Sequence, residues 1–204
     1  MSKLDLKLNF RHLYSPSAKQ PQIVTIQPLS YLMVDGQGDP NTSAEYVQAI
    51  EILYSLSYTM KFTIKKSPSG VDYGVMPLEG LWWSDDMNDF LAGNKDRWKW
   101  TAMILQPDFI TSAMVAETCL EVEKKKGLPA REKARLETFD EGLCAQIMHI
   151  GSYSEERPTI EKLHQYIADT GHKPRGLHHE IYLSDPRRAD PAKLKTIIRQ
   201  PICS

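Results

Sequence analysis

Cysteine is scarce: Cys119, Cys144 and Cys203 are an odd three in 204 residues, widely spaced and without a CxxC pair. That pattern supports neither a disulfide framework nor a zinc site, and a reducing cytoplasm is the expected compartment. Long apolar runs are missing too. None approaches the roughly 18 residues needed to cross a bilayer, and the opening MSKLDLKLNFRHLY mixes charges where a signal peptide needs an apolar block, so no membrane partner is expected. Neither sign of charge dominates, with 25 Lys and Arg against 26 Asp and Glu. Without a basic stripe and interleaved aromatics, electrostatic capture of nucleic acid has no support. The basic run Lys124 to Lys126 follows Glu121 and Glu123 and reads as a solvated helix end.

Signatures with fixed catalytic spacing are also absent. His149, His164, His172, His178 and His179 include no HxxxH or HExxH pair, and the adjacent His178 and His179 point to opposite sides of a strand. There is no GxSxG elbow, and DGQGDP lacks the Lys and Ser or Thr of a phosphate loop. No metal and no cofactor is expected.

What is present is 41% apolar residues, enough for a sizeable core, with four Trp and nine Tyr. Residues 1–21 lack sustained periodicity and read as an arm ahead of the fold. Residues 22–33 are β-branched and apolar, and DGQGDPN at 35–41 reads as a loop. Thr42 with Glu45 suggests a capping box for a helix carrying Tyr46, Val47, Ile50, Leu53 and Tyr54. Strands are expected over 73–83, interrupted at Pro77 and Gly80, and over 98–105, joined by the loop SDDMNDFLAGNKDR. A helix capped by Thr111 or Ser112 runs to about Lys126 and stops at Gly127. Residues 130–140 read as a charged, partly helical connector.

The second half repeats this order. LCAQIMHI at 143–150 is a strand, Pro158 begins a helix with Ile160, Leu163, His164 and Ile167 on one face, a strand holds Glu180, and 194–202 ends in a strand. WWSDD at 82–86 matches YLSDP at 182–186, and MILQP at 103–107 matches IIRQP at 197–201. The expected fold is therefore α+β: tandem strand-helix-strand-strand modules with a pseudo-two-fold, antiparallel sheets, helices on one side and a ligand cleft on the other. Module one spans about 22–107, the connector about 108–140 and module two about 141–204, following the arm at 1–21.

The stretch HHEIYLSDPRR at 178–188 places a carboxylate inside a strand. Ile181 and Leu183 share one face, while His178, Glu180 and Tyr182 share the other. A buried strand carboxylate is costly unless paired, and Arg175, Arg187 and Arg188 are the available structural partners. The repeat sets Trp82 at the place of Tyr182 and Gly80 at that of Glu180. This describes an asymmetric aromatic box with one acid and open space beside Gly80. Trp98 and Trp100 would add a wall, and Tyr73 and Met76 lie near the opposite strand's start. Flat aromatic surfaces suit planar organic ligands. Trp83 is expected to be core, beside Leu183 on the helix-covered face.

The runs QIMHIGSYSEERPTIEKLHQYI, HHEIYLSDPRR and LKTIIRQP, with GLWW and WKWTAMILQPDFI, resemble the GyrI-like small-molecule-binding family from about residue 20 onward. The resemblance implies a buried acid, matched by Glu180, that helps to bind aromatic and cationic compounds. Without room for a helix-turn-helix in residues 1–21, the chain is similar to stand-alone members that act as cyclopropanoid hydrolases. Those open the cyclopropane of spirocyclopropyl-dienone genotoxins of the duocarmycin, yatakemycin and CC-1065 class with water, a detoxification. On that reading Glu180 would orient the water, and Tyr182, Tyr153 or an indole N–H would donate to the carbonyl. Trp82 and Trp100 would stack on the polycycle, and the chain would work as a monomer or homodimer on an aromatic small-molecule ligand. Non-catalytic binding of planar or cationic aromatics is the alternative.

Overall fold

The computed structural model describes residues 4–86 and 94–204. Two short N-terminal helices, α1 (Leu6–Asn9) and α2 (Arg11–Tyr14), lead to β1 (Gln22–Ile26) and β2 (Leu29–Gln37). Next come α3 (Ala44–Lys66), β3 (Leu78–Trp83), β4 (Lys99–Leu105), α4 (Ser112–Lys126), α5 (Ala130–Lys133) and β5 (Ala134–Phe139). The chain ends with β6 (Gly142–Ile150), α6 (Arg157–Asp169), β7 (Lys173–Pro174), β8 (His178–Tyr182) and β9 (Lys195–Cys203).

The strands form one antiparallel sheet in the order β1-β6-β9-β8-β3-β4-β2-β5, with β7 beside β9. Its centre is the β3–β8 pair, in which Gly80 stands opposite Glu180. On one side lie β4 and β2, on the other β9 and β6, so the two strand-helix-strand-strand modules meet across a pseudo-two-fold. The outermost strands cross over: β1 pairs with β6 of the second module, while β5 pairs with β2 of the first. This exchange covers the outer edge of each module and leaves β1 and β5 as the edges of the sheet.

Several local expectations shift. The apolar run at 22–33 divides at Gln27 and Pro28 because its two parts pair with different modules. Strand β2 continues through Gln37 because Asp35, Gly36 and Gln37 pair with Thr101, Trp100 and Lys99. Ser43 rather than Thr42 caps α3, its hydroxyl accepting from the Tyr46 amide, while Glu45 binds Lys133 at 3.0 Å. Thr111 caps α4, and Gly127 ends it with φ 69°, a left-handed conformation that glycine adopts without strain. Within 130–140 only the first turn is helical. The remainder is β5, held to β2 by the Leu136–Leu32 register and by Arg135 reaching Asp35 at 2.8 Å. Part of the expected loop at 84–97, residues 87–93, lies outside the described residues.

Helices α3 and α6 lie on the same face of the sheet. Leu163 and Ile167 of α6 cluster with Ala145, Ile147 and Ile198. Tyr46 of α3 packs on Trp82 and Trp100, and α4 lies against α3. The opposite face is covered by the N-terminal residues, of which Leu6, Leu13 and Tyr14 are buried.

Candidate functional site

Glu180 lies on the helical face, between the module carrying α3 and the module carrying α6. The acid faces the helices rather than the sheet's far side, where the cleft was expected. Period-two alternation puts His178, Glu180 and Tyr182 on this face. The β3–β8 register adds Gly80 and Trp82, and the β8–β9 register adds Thr196 beside Tyr182.

A chain of hydrogen bonds crosses the central strands. The Trp82 indole Nε1 donates to the Tyr182 hydroxyl at 2.9 Å, and that hydroxyl donates to Glu180 Oε2 at 2.8 Å. Glu180 Oε1 lies 3.0 Å from His178 Nε2. The Glu180 side chain retains 16% exposure, so the carboxylate is sheltered without being sealed. Burial alone would raise its pKa. The His178 hydrogen bond and charge and the Tyr182 hydroxyl outweigh burial and hold it below the usual carboxylate range. The Tyr182 phenol moves the other way, well above its ordinary value, because it is buried beside that charge. Two of the three arginines weighed as partners are engaged elsewhere: Arg175 reaches the Ile202 and Glu141 carbonyls, and Arg187 binds Asp185.

Aromatic rings wall the acid. Tyr153 meets Tyr182 edge-on at 5.7 Å, Trp98 meets Trp82 at 5.9 Å, and Tyr46 lies 5.6 Å from Trp82. Tyr153 is 39% exposed. Trp100 is wholly buried, touching Tyr46 edge-on at 4.9 Å and occupying the place of a side chain at Gly36, so it backs the wall instead of surfacing it.

Other expected positions differ. The space beside Gly80 is filled: a Cβ there would meet Trp82 Nε1 at 2.7 Å and the Tyr182 hydroxyl at 3.2 Å. Tyr73 and Met76 are not part of this group, because β3 starts only at Leu78, after Pro77. Tyr73 bridges to Leu4 and packs on Phe109, and Met76 lines a small hollow with Asp5, Leu6 and Lys7. Trp83 points to the face opposite α3, half-buried beside an open groove of 560 Å³ that also includes Asp35, Thr101 and Arg135. That groove lies away from Glu180.

Two contributors escape sequence reading. Tyr46 falls on the expected helix, but its contact with Trp82 depends on how that helix crosses the sheet. Glu156, the residue before α6, is 5% exposed. Burial and the Glu180 charge push its pKa up to about 9. Together these groups set one sheltered carboxylate among aromatic rings, with a second buried acid at Glu156.

A model of the GyrI-like small molecule binding domain matches residues 19–202. No curated protein matches the sequence. Among solved structures, an uncharacterized conserved protein from Listeria innocua is 38% identical with a TM-score of 0.89, covering 98% of this chain and 100% of its own. Two hydrolases from Listeria innocua, 36% and 37% identical, each superpose with a TM-score of 0.87. They cover 98% and 99% of this chain and 100% of their own.

Proposed function

We propose, from the premise that the chain belongs to the GyrI-like small-molecule-binding family, that it is a hydrolase adding water to the cyclopropane of spirocyclopropyl-dienone genotoxins. The substrates would be of the duocarmycin, yatakemycin and CC-1065 class, and the outcome detoxification. The hydrolases among its structural relatives support an enzymatic role. The observation that carries the reading is Glu180, an ionised and poorly hydrated carboxylate held by His178 and Tyr182 beside the rings of Trp82 and Tyr153.

In this reaction the water oxygen bonds to the strained methylene and the methylene–ring carbon bond breaks. The released electron pair passes through the dienone to its carbonyl oxygen, which takes a proton and becomes a phenol, while the attacking water releases one proton to solvent, so the product is the substrate plus one water. With both oxygens already accepting hydrogen bonds and a lowered pKa, Glu180 is a weak base. Its role is to orient the water and stabilise positive charge developing at the methylene. The Trp82 N–H and Tyr182 O–H are committed within the chain of hydrogen bonds, which leaves Tyr153 as the phenol facing the substrate carbonyl. Ring strain lowers the barrier, so positioning and one polar group, worth about 10²- to 10⁴-fold, suffice.

Incubating the protein with a compound of this class should yield the ring-opened product, heavier by one water in mass spectrometry. Glu180→Gln should slow turnover at least about 100-fold while ligand still binds. Full turnover by Glu180→Gln would refute the role given to the acid. Non-catalytic sequestration is the second reading, favoured by the engagement of both Glu180 oxygens. Recovery of unaltered ligand in stoichiometric complex would establish it instead.

A further inference from the structure

We propose that His149 is a positioning residue of the site: its imidazole clamps the turn carrying Tyr153 to strand β6 and so fixes where the Tyr153 phenol stands. The inference rests on the role given above to Tyr153 and adds the residue that holds it in place. His149 lies outside the group on β3 and β8, yet the sheet register sets it alongside. Strand β9 runs between β6 and β8, and its Thr196 stands opposite both His149 and Tyr182. Residues directly opposite in neighbouring strands share a face. His149 and Tyr182 therefore point to the same side of the sheet, two strand spacings or about 10 Å apart.

The turn that carries Tyr153 spans this interval. Tyr153–Glu155 form a single helical turn between β6 and α6, and the Tyr153 ring meets Tyr182 edge-on at 5.7 Å. Its backbone is tied at the other end. The Ser152 carbonyl lies 3.1 Å from His149 Nε2, and the Thr159 hydroxyl, in the first turn of α6, lies 2.9 Å from Nδ1. A carbonyl oxygen only accepts, so Nε2 carries a hydrogen, and in the neutral imidazole Nδ1 accepts from Thr159. Both nitrogens of one buried ring thus hold the start and the end of the segment 152–159. A Cβ at Gly151 would come within 3.1 Å of Nε2, so the chain carries no side chain where the ring passes. Other bonds of the turn close within it: the Ser152 hydroxyl and amide reach Glu155 Oε2 at 2.8 and 3.3 Å, and the Glu155 amide returns to the Ser152 carbonyl at 2.9 Å. These shape the turn, while His149 and the Gly151 amide, which donates to the Leu194 carbonyl at 3.0 Å, place it on the sheet. A half-exposed phenol must be placed in this way, because a displacement of about 1 Å in a reacting geometry costs up to about 10²-fold in rate.

The test uses the full chain with 3-fluorotyrosine placed at residue 153, together with His149→Phe, which keeps a ring but loses both bonds, Thr159→Val, which loses one, and Thr159→Ser, which keeps it. The fluorine resonance should move in His149→Phe and Thr159→Val and return in Thr159→Ser. With a spirocyclopropyl-dienone substrate, His149→Phe should lower kcat about tenfold or more and leave KM within about twofold. In a Tyr153→Phe background the same substitution should cost nothing further, because its effect passes through Tyr153. A resonance unmoved in His149→Phe overturns the clamp. An equal loss of kcat with and without Tyr153 also overturns it, since His149 would then serve the fold alone. Absence of turnover in the unsubstituted protein overturns the hydrolase reading and not the clamp, which the fluorine resonance decides by itself.

Discussion

Gly80 shows how one missing side chain shapes the site. Across the pseudo-two-fold it is the counterpart of Glu180, and the two stand opposite each other at the centre of the sheet. Had both positions carried long side chains, the Trp82–Tyr182 hydrogen bond could not pass over the strand pair. An added methyl at Gly80 would lie 2.7 Å from the indole nitrogen, too close for any unshifted contact. Gly80→Ala is therefore expected to displace the indole, break the 2.9 Å bond to Tyr182 and destabilise the protein by about 1–3 kcal/mol through overpacking. Thermal denaturation and a shift in tryptophan emission would check this, and weakened planar-ligand binding should accompany them. An unchanged melting temperature and spectrum would show that the ring can move without loss.

At the scale of elements, β8 is a strand with two polar faces, only one of which its sequence pattern suggested. His178, Glu180 and Tyr182 were legible because alternation alone groups them, and the internal repeat aligned Gly80 and Trp82 with Glu180 and Tyr182. The modules were legible for the same reason, since helical periodicity, turn residues and repeat spacing are local signals. The pairing of β1 and β5 was not, because each strand bonds to the module farther from it in sequence. The far face was also hidden: His179 meets Glu141 and Glu79, 38 and 100 residues away, and no spacing rule links them. Helix α2 closes that face, with the Tyr14 hydroxyl donating to Glu79 Oε1 at 2.6 Å. Tyr14→Phe keeps the ring packing but removes a hydrogen bond to a buried acid. It should lower unfolding free energy by about 1.5–3 kcal/mol in urea titration, and a change within error would show that another donor replaces it.

For the whole molecule, the group around His179 joins the two modules behind the ligand site. His179 bridges Glu79 of β3 at 3.0 Å and Glu141 at 2.8 Å; Arg199 of β9 reaches Glu141 at 3.2 Å, Gln146 of β6 at 3.0 Å and the Leu13 carbonyl at 3.0 Å. Each of these side chains is buried, so the cluster is stable only while its charges balance: two carboxylates against Arg199 and a protonated imidazole. Burial works against the His179 charge, but the Glu141 and Glu79 contacts prevail and raise its pKa above the ordinary 6.5. Burial likewise opposes ionisation of Glu141, yet His179 and Arg199 lower its pKa from 4.5 to about 2. The raised histidine contributes stability fully below 6.5, and that contribution is lost as pH rises through its folded value. The depressed carboxylate contributes above 4.5 and loses its share as pH falls toward about 2. Both contributions are present together between 4.5 and 6.5, so the cluster is expected to favour mildly acidic conditions. Denaturant midpoints measured from pH 3 to 9 should peak in that window. His179→Gln should lower the midpoint throughout and remove the decline on the alkaline side. A wild-type curve still rising between pH 6.5 and 9 would mean that the imidazole is neutral in the folded protein.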